Sequence, residues 1–216
     1  SGSTYFASGD NGIVETPAAI TIRPEGVLAD TLTVRNASGT ASFGGGTLTA
    51  ASLVKSNAGG LELGSAASVT TMTLDGGSLT VVGSGSLAAT TIIDNAALVY
   101  ATSSVQTLAA AISGTGSISS TGGGTLALTG TSTFTGSLSL TAGNTVQIAG
   151  GGIAAASIVN EGVLDLAGTG SHTVSGVVSG GGSVTKSGVG VVTLAAANTY
   201  TGATSVDAGT LRLGHG

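Results

Sequence analysis

Residues 113–143 read SGTGSISSTGGGTLALTGTSTFTGSLSLTAG, and residues 179–209 read SGGGSVTKSGVGVVTLAAANTYTGATSVDAG. The second stretch repeats the first at a spacing of 66 residues. Ser113-Gly114 falls on Ser179-Gly180, Gly116-Ser117 on Gly182-Ser183, Gly122 on Gly188, Gly124 on Gly190 and Leu128 on Leu194. Thr133-Phe134-Thr135-Gly136 meets Thr199-Tyr200-Thr201-Gly202, and Ala142-Gly143 meets Ala208-Gly209. Worked outward, the shift aligns residues 88–143 with 154–209 without a gap. Roughly 18 positions are identical, more than the biased composition gives by chance. One residue is then inserted or lost, which brings Val146-Gln147-Ile148 onto Leu211-Arg212-Leu213. A fixed period of this kind marks an architecture of stacked, repeated units.

Inside the long period lies a short grammar of apolar–polar–apolar triplets set off by glycine. Examples are Leu61-Glu62-Leu63, Leu79-Thr80-Val81, Leu126-Ala127-Leu128, Val146-Gln147-Ile148, Leu164-Asp165-Leu166 and Leu211-Arg212-Leu213. Side chains alternate faces along a strand, so the flanking aliphatics point to a core and Glu62, Asp165 and Arg212 point to water. The triplets recur at intervals near 20 residues, with some at about 8 that read as two strands of one coil. The 66-residue unit then reads as three coils of about 22 residues, with glycine at corners where positive φ is tolerated.

Ser103-x-x-Gln106 before Leu108-Ala109-Ala110-Ala111-Ile112 has the form of a helix capping box. The repeat argues against a helix there. Residues 105–112 align with Ser171-His172-Thr173-Val174-Ser175-Gly176-Val177-Val178, which is β-branched and carries a glycine, so both copies read as strand.

The composition agrees. Of 216 residues 39 are glycine, only 7% are charged and none is cysteine. With two prolines and no strict third-residue glycine the chain is not collagen, and a mean hydropathy of +0.50 opposes disorder. Disulfide stapling is impossible, and no apolar run approaches the length of a transmembrane helix. A net charge of −5 with five basic residues has the wrong sign for nucleic acid. A sandwich needs longer antiparallel strands, and a propeller needs blades of about 40 residues with aromatic signatures. The expected fold is therefore all-β: a right-handed parallel β-helix of about ten coils stacked at about 4.8 Å, a rod roughly 50 Å long. One such domain is expected over 1–216, with diverged coils at 1–85, one repeat unit at 86–151 and a second at 152–216.

No constellation for catalysis or cofactor binding emerges. There is no G-x-S-x-G elbow and no histidine pair at zinc spacing. His172, aligned with Gln106, reads as an exposed strand position, and His215 as part of a loose end. The G-x-G triplets at 114/116, 122/124, 180/182 and 188/190 precede strands, whereas phosphate cradling needs a helix N-terminus. They read as corners. Gly9-Asp10-Asn11-Gly12 has one carboxylate, too few for calcium, and reads as a turn. Glu161, Asp165 and Lys186, about one coil apart, read as an exposed salt-bridge ladder and not as an acid–base site. Asn36-Ala37-Ser38 matches a glycosylation tripeptide by chance. Thr-x-Thr pairs at 31/33, 47/49, 71/73, 133/135 and 199/201 are irregularly spaced, which speaks against one flat threonine face. No catalytic, metal or cofactor-binding residue is expected.

The run from Gly188 to Leu213 resembles the passenger-associated transport repeat of bacterial autotransporter (type V secretion) passengers. Gly188, Gly190 and Leu194 match G-x-G-x-x-x-L; Asn198, Thr199, Tyr200, Thr201 and Gly202 match N-T-Y-T-G; Ala208, Gly209, Thr210, Leu211 and Leu213 match A-G-T-L-x-L. Residues 122–148 form a diverged copy. The resemblance implies an extracellular β-helix exported through an outer-membrane β-barrel translocator of the same polypeptide. Neither a barrel nor a signal peptide is in the sequence, so it reads as a piece of a longer passenger. A stalk or scaffold role is expected first. Self-association or adhesion to a cell-surface or host ligand comes second, and a polysaccharide-active enzyme last.

Overall fold

Short strands of alternating character cannot bury an apolar face alone, but they can if each coil lays its strands on the coil before. The computed structural model, which describes residues 9–214, is built in this way: every strand pair is parallel and no residue is helical. Three faces run along the axis. Face A carries β1 (Asp10–Val14), β3 (Val27–Val34), β5 (Leu48–Lys55), β7 (Ala66–Leu74), β9 (Ser86–Asp94) and β12 (Ala111–Ser113). Face B carries β2 (Ala19–Ile22), β4 (Thr40–Gly45), β6 (Gly60–Leu63), β8 (Ser78–Val82), β10 (Ala97–Ala101), β13 (Ser117–Ser120), β15 (Ser137–Leu140), β17 (Ser157–Asn160) and β20 (Val177–Ser179). Face C carries β11 (Val105–Leu108), β14 (Thr125–Leu128), β16 (Thr145–Ile148), β18 (Val163–Leu166), β21 (Ser183–Lys186) and β23 (Thr204–Val206). Face A resumes with β19 (Ser171–Val174), β22 (Val191–Leu194) and β24 (Thr210–Leu213), joined to β12 by single bridges Ile112↔Ser132↔Ile153↔Val174.

Before β11 the face-A strands β3, β5, β7 and β9 are eight or nine residues long and there is no separate face C. From Val105 on, Ala109-Ala110, Gly130 and Gly150 interrupt that run, and one long strand becomes two short ones.

One ladder counts the coils. Gly12, Leu32, Leu53, Met72, Ile92, Ile112, Ser132, Ile153, Val174, Leu194 and Leu213 each pair with the next. Their spacing of 19 to 21 residues sets the coil at about 20, not 22, and gives about ten turns. The 66-residue repeat is therefore three and a third coils, and each copy is moved on by one face. Residues 117–120 lie on face B and their equivalents 183–186 on face C. Likewise 125–128 lie on face C and 191–194 on face A. The sequence period alone cannot reveal this, because similar apolar-x-apolar strands suit all three faces.

The core is a set of aliphatic columns. On face B, Ala41, Leu61, Leu79, Leu98, Ile118, Leu138, Ile158 and Val178 stack in register, none more than 1% exposed. Each buried leucine or isoleucine contributes about 1.5–3 kcal/mol by leaving water. The inner flanks of Glu62 and Asp165 are buried as expected, whereas Leu213 is exposed in the last described coil.

Candidate functional site: stacked corners and two uncharged columns

The corners are where the sequence is most demanding. Corner glycines sit directly over the backbone of the preceding coil. A Cβ on Gly136 would lie 1.6 Å from the Gly116 carbonyl oxygen, and one on Gly202 would lie 2.1 Å from that of Gly182. Neither residue has positive φ. At these corners glycine is required for close coil stacking, not for the left-handed backbone that the sequence suggests. In the G-x-G triplets Gly116, Gly122, Gly124, Gly182, Gly188 and Gly190 are such corners, whereas Gly114 and Gly180 have φ of +107° and +103° and need glycine for the left-handed backbone as well.

Polar side chains turned inward satisfy the main-chain groups that the corners expose. Lys55, fully buried, donates from Nζ to the carbonyls of Ser56 at 2.7 Å, Asn57 at 3.0 Å and, one coil on, Gly76 at 3.2 Å. Burial lowers its pKa from the ordinary lysine value. Asn36, also buried, donates Nδ2 to Gly39 O at 2.9 Å and Gly60 O at 3.0 Å, so its tripeptide is closed to glycosylation in the folded chain. Asn144 accepts from Ser120 Oγ and the Gly123 amide and donates to Thr141. Asn160 and Asp94 cap equivalent corners. Sequence reasoning missed these residues as a class. The available signal was a polar residue at an inward position of an alternating run, as in Leu53-Val54-Lys55, Ile92-Ile93-Asp94 and Ile158-Val159-Asn160.

The repeat signature residues occupy the final described coils. Gly188 and Gly190 stack on Ala167 and Gly170 carbonyls, and Leu194 is fully buried. Asn198 Oδ1 accepts from the Val178 amide, and the Thr199 and Thr201 amides donate to the carbonyls of Val178 and Gly180. Tyr200 Oη is 2.8 Å from Thr204 Oγ1. The Ala208 amide bonds Lys186 O, Gly209 has φ of +69°, and the Thr210 amide bonds Gly190 O. Leu211 and Leu213 sit on β24.

Several expectations need correction. Glu161, Asp165 and Lys186 form no ladder. Glu161 accepts from the Gly181 amide, Asp165 from Gln147 Nε2 and Ser187 Oγ, and buried Lys186 donates to Gly188 O. They are separated because each completes its own corner or strand. Gly9-Asp10-Asn11-Gly12 is largely strand β1, with Asn11 Oδ1 accepting from the Thr31 amide. His172 is half-buried, its ring packed against Gly168. His215 lies outside the described residues.

The threonines of the Thr-x-Thr pairs at 31/33 and 71/73 are outward strand positions, but they stack in mixed columns. Thr31, Ser52, Thr71, Thr91 and Ala111 form one outward column of face A; Ile13, Thr33, Val54, Thr73, Ile93 and Ser113 form a second. Sequence intervals hide this because serine and β-branched residues fill the rungs between the Thr-x-Thr pairs. Neither column contains a charged residue, and Thr91 Oγ1 donates to Thr71 Oγ1. Among the described residues no group of three or more His, Cys, Asp or Glu could hold a metal, and no helix is long and apolar enough to cross a membrane.

The fold and its capped corners define a parallel β-solenoid, a rod of stacked coils. The family model described as the passenger-associated-transport-repeat matches residues 121–148 and 184–213. The chain thus carries two stretches that match this repeat. No curated protein and no solved structure matches it.

Proposed function

We propose that this chain is a structural segment of an autotransporter passenger, a stalk that carries other regions away from the cell surface. The repeat family implies a translocator linked in the same polypeptide and export across the outer membrane. The single observation that carries the stalk reading is the unbroken ladder from Gly12 to Leu213, in which every coil templates the next. A chain of this design folds coil by coil as it emerges, and each added coil opposes return through the pore. Buried Asn36, Lys55, Asn144, Asn160 and Lys186 all bond main-chain carbonyls at corners, which favours a scaffold over an enzyme. Deleting residues 154–214 from the full-length precursor and measuring surface display tests the translocation role. Display should fall; undiminished display counts against it.

A second reading rests on the uncharged columns of face A. A flat sheet of hydroxyls and methyls suits broad contact between rods or with a neutral surface. Thr71→Lys with Thr73→Lys should abolish clustering of beads coated with the chain. Coated beads that never cluster remove this reading.

A further inference from the structure

We propose that Asp94 is held in the folded chain as a neutral carboxylic acid, its Oδ2 proton donated to the main-chain carbonyl of Ser117, so that this corner is a proton-sensitive joint of the solenoid.

The inference comes from two copies of one corner. Asp94 and Asn160 are equivalent in the 66-residue repeat, both are fully buried, and they turn different pairs of faces. The Ala96 amide donates to Asp94 Oδ1 at 3.2 Å, and the Gly162 amide to Asn160 Oδ1 at 3.1 Å. The Gly116 amide meets Asp94 O at 2.8 Å, and the Gly182 amide meets Asn160 O at 2.8 Å. Ser117 and Ser183 donate their amides to Ala96 and Gly162 carbonyls at 2.8 and 2.9 Å. Gly114 and Gly180, beside them, have φ of +107° and +103°. A Cβ on Gly116 or Gly182 would lie 2.4 Å from the respective Oδ1. The copies differ in one atom. Asn160 Nδ2 donates to Ser183 O at 2.9 Å, whereas Asp94 Oδ2, the equivalent atom, is buried with no partner. The equivalent acceptor is the Ser117 carbonyl. A carboxylate oxygen facing a carbonyl is repelled, but a carboxylic acid there makes the bond that Asn160 makes.

The surroundings bring little to hold a negative charge. On the same ladder Leu74 lies one rung below and Lys55 two below, its ammonium already bonded to three carbonyls. Exposed Asp75 accepts from Asn95 Nδ2 and adds like charge. β12 and β13 carry no acid or base, and β10 carries only Tyr100, whose phenol burial pushes up. Desolvation raises the Asp94 pKa to about 7. The folded value exceeds the unfolded one, so stability is fullest below the unfolded pKa, falls as pH rises and levels off above about 7.

The test measures denaturant unfolding of the whole chain between pH 5 and pH 8 for wild type, Asp94→Asn and Asn160→Asp. The folding equilibrium constant of Asp94→Asn relative to wild type should rise roughly tenfold or more over that range. Asn160→Asp should acquire a loss of stability of the same sign as pH rises. A pH-independent ratio between Asp94→Asn and wild type overturns the proposal. Carbon-13 NMR of the wild-type Asp94 carboxyl needs no variant: a titration midpoint near 7 supports it, and one near 4 overturns it.

Discussion

Asn198 Oδ1 accepts the main-chain amide of Val178, 20 residues earlier, at 2.9 Å, and thereby stands in for a strand carbonyl on face B. In the other copy the same amide belongs to Ile112, which bonds the main-chain carbonyl of Thr131 at 3.0 Å. Ser132 occupies the Asn198 position there, and its Oγ is unpartnered. The asparagine of the N-T-Y-T-G motif therefore completes the ladder on a face where the chain forms no strand. Its Nδ2 is fixed on Ala196 O at 2.8 Å, which aims the oxygen. Asn198→Ala leaves a buried amide unpaired, and we expect a loss of about 1–3 kcal/mol. Asn198→Asp keeps the acceptor and should retain part of that stability. Denaturant melts of the two variants check the order.

How much of this was legible beforehand depends on the residue. Leu61-Glu62-Leu63 announces its strand, its buried sides and its solvent side, because alternation is local. The repeat decides that residues 105–112 are extended and not helical, a choice their own propensity leaves to a helix; they form β11 and the start of β12, broken at Ala109-Ala110. The face on which each copy lies was not legible: 66 residues divide evenly into three coils on paper, and only the ladder spacing shows the extra third. The inward Lys55 and Asp94 were also hidden, because charged residues are ordinarily exposed and their partners are main-chain carbonyls and amides that sequence does not display.

Stacked corners should separate glycines by mechanism. Gly202→Ala drives a methyl into the Gly182 carbonyl, and we expect a cost of about 1–3 kcal/mol or more from overpacking. Gly151 has ordinary φ and only the Thr131 side chain within reach, 3.4 Å from a new Cβ. Gly151→Ala should be neutral or stabilise by about 0.4–1 kcal/mol through the unfolded chain. Thermal melts of both variants make the comparison.

Lys55 offers a third test. Lys55→Met keeps the length of the side chain and removes the ammonium from the Ser56, Asn57 and Gly76 carbonyls. We expect a loss of about 1.5–3 kcal/mol, the scale of a charged hydrogen-bond donor. Hydrogen exchange should locate the weakening at the corners of β5 and β7. A variant as stable as the parent would show that the apolar stem provides the stabilisation at this site.

The coil length and the one-face step between repeats can be measured with spin labels at Ser119 paired with either Ser179 or Thr185. Ser119, Ser139, Val159 and Ser179 lie on one face-B column, three rungs from end to end, whereas Thr185, the repeat equivalent of Ser119, lies on face C. Pulsed electron resonance should give a backbone separation of about 14 Å for 119–179, three rungs of about 4.8 Å, and a longer distance for 119–185. A shorter distance for 119–185 would mean that the repeat closes after three whole coils, contradicting the solenoid described here.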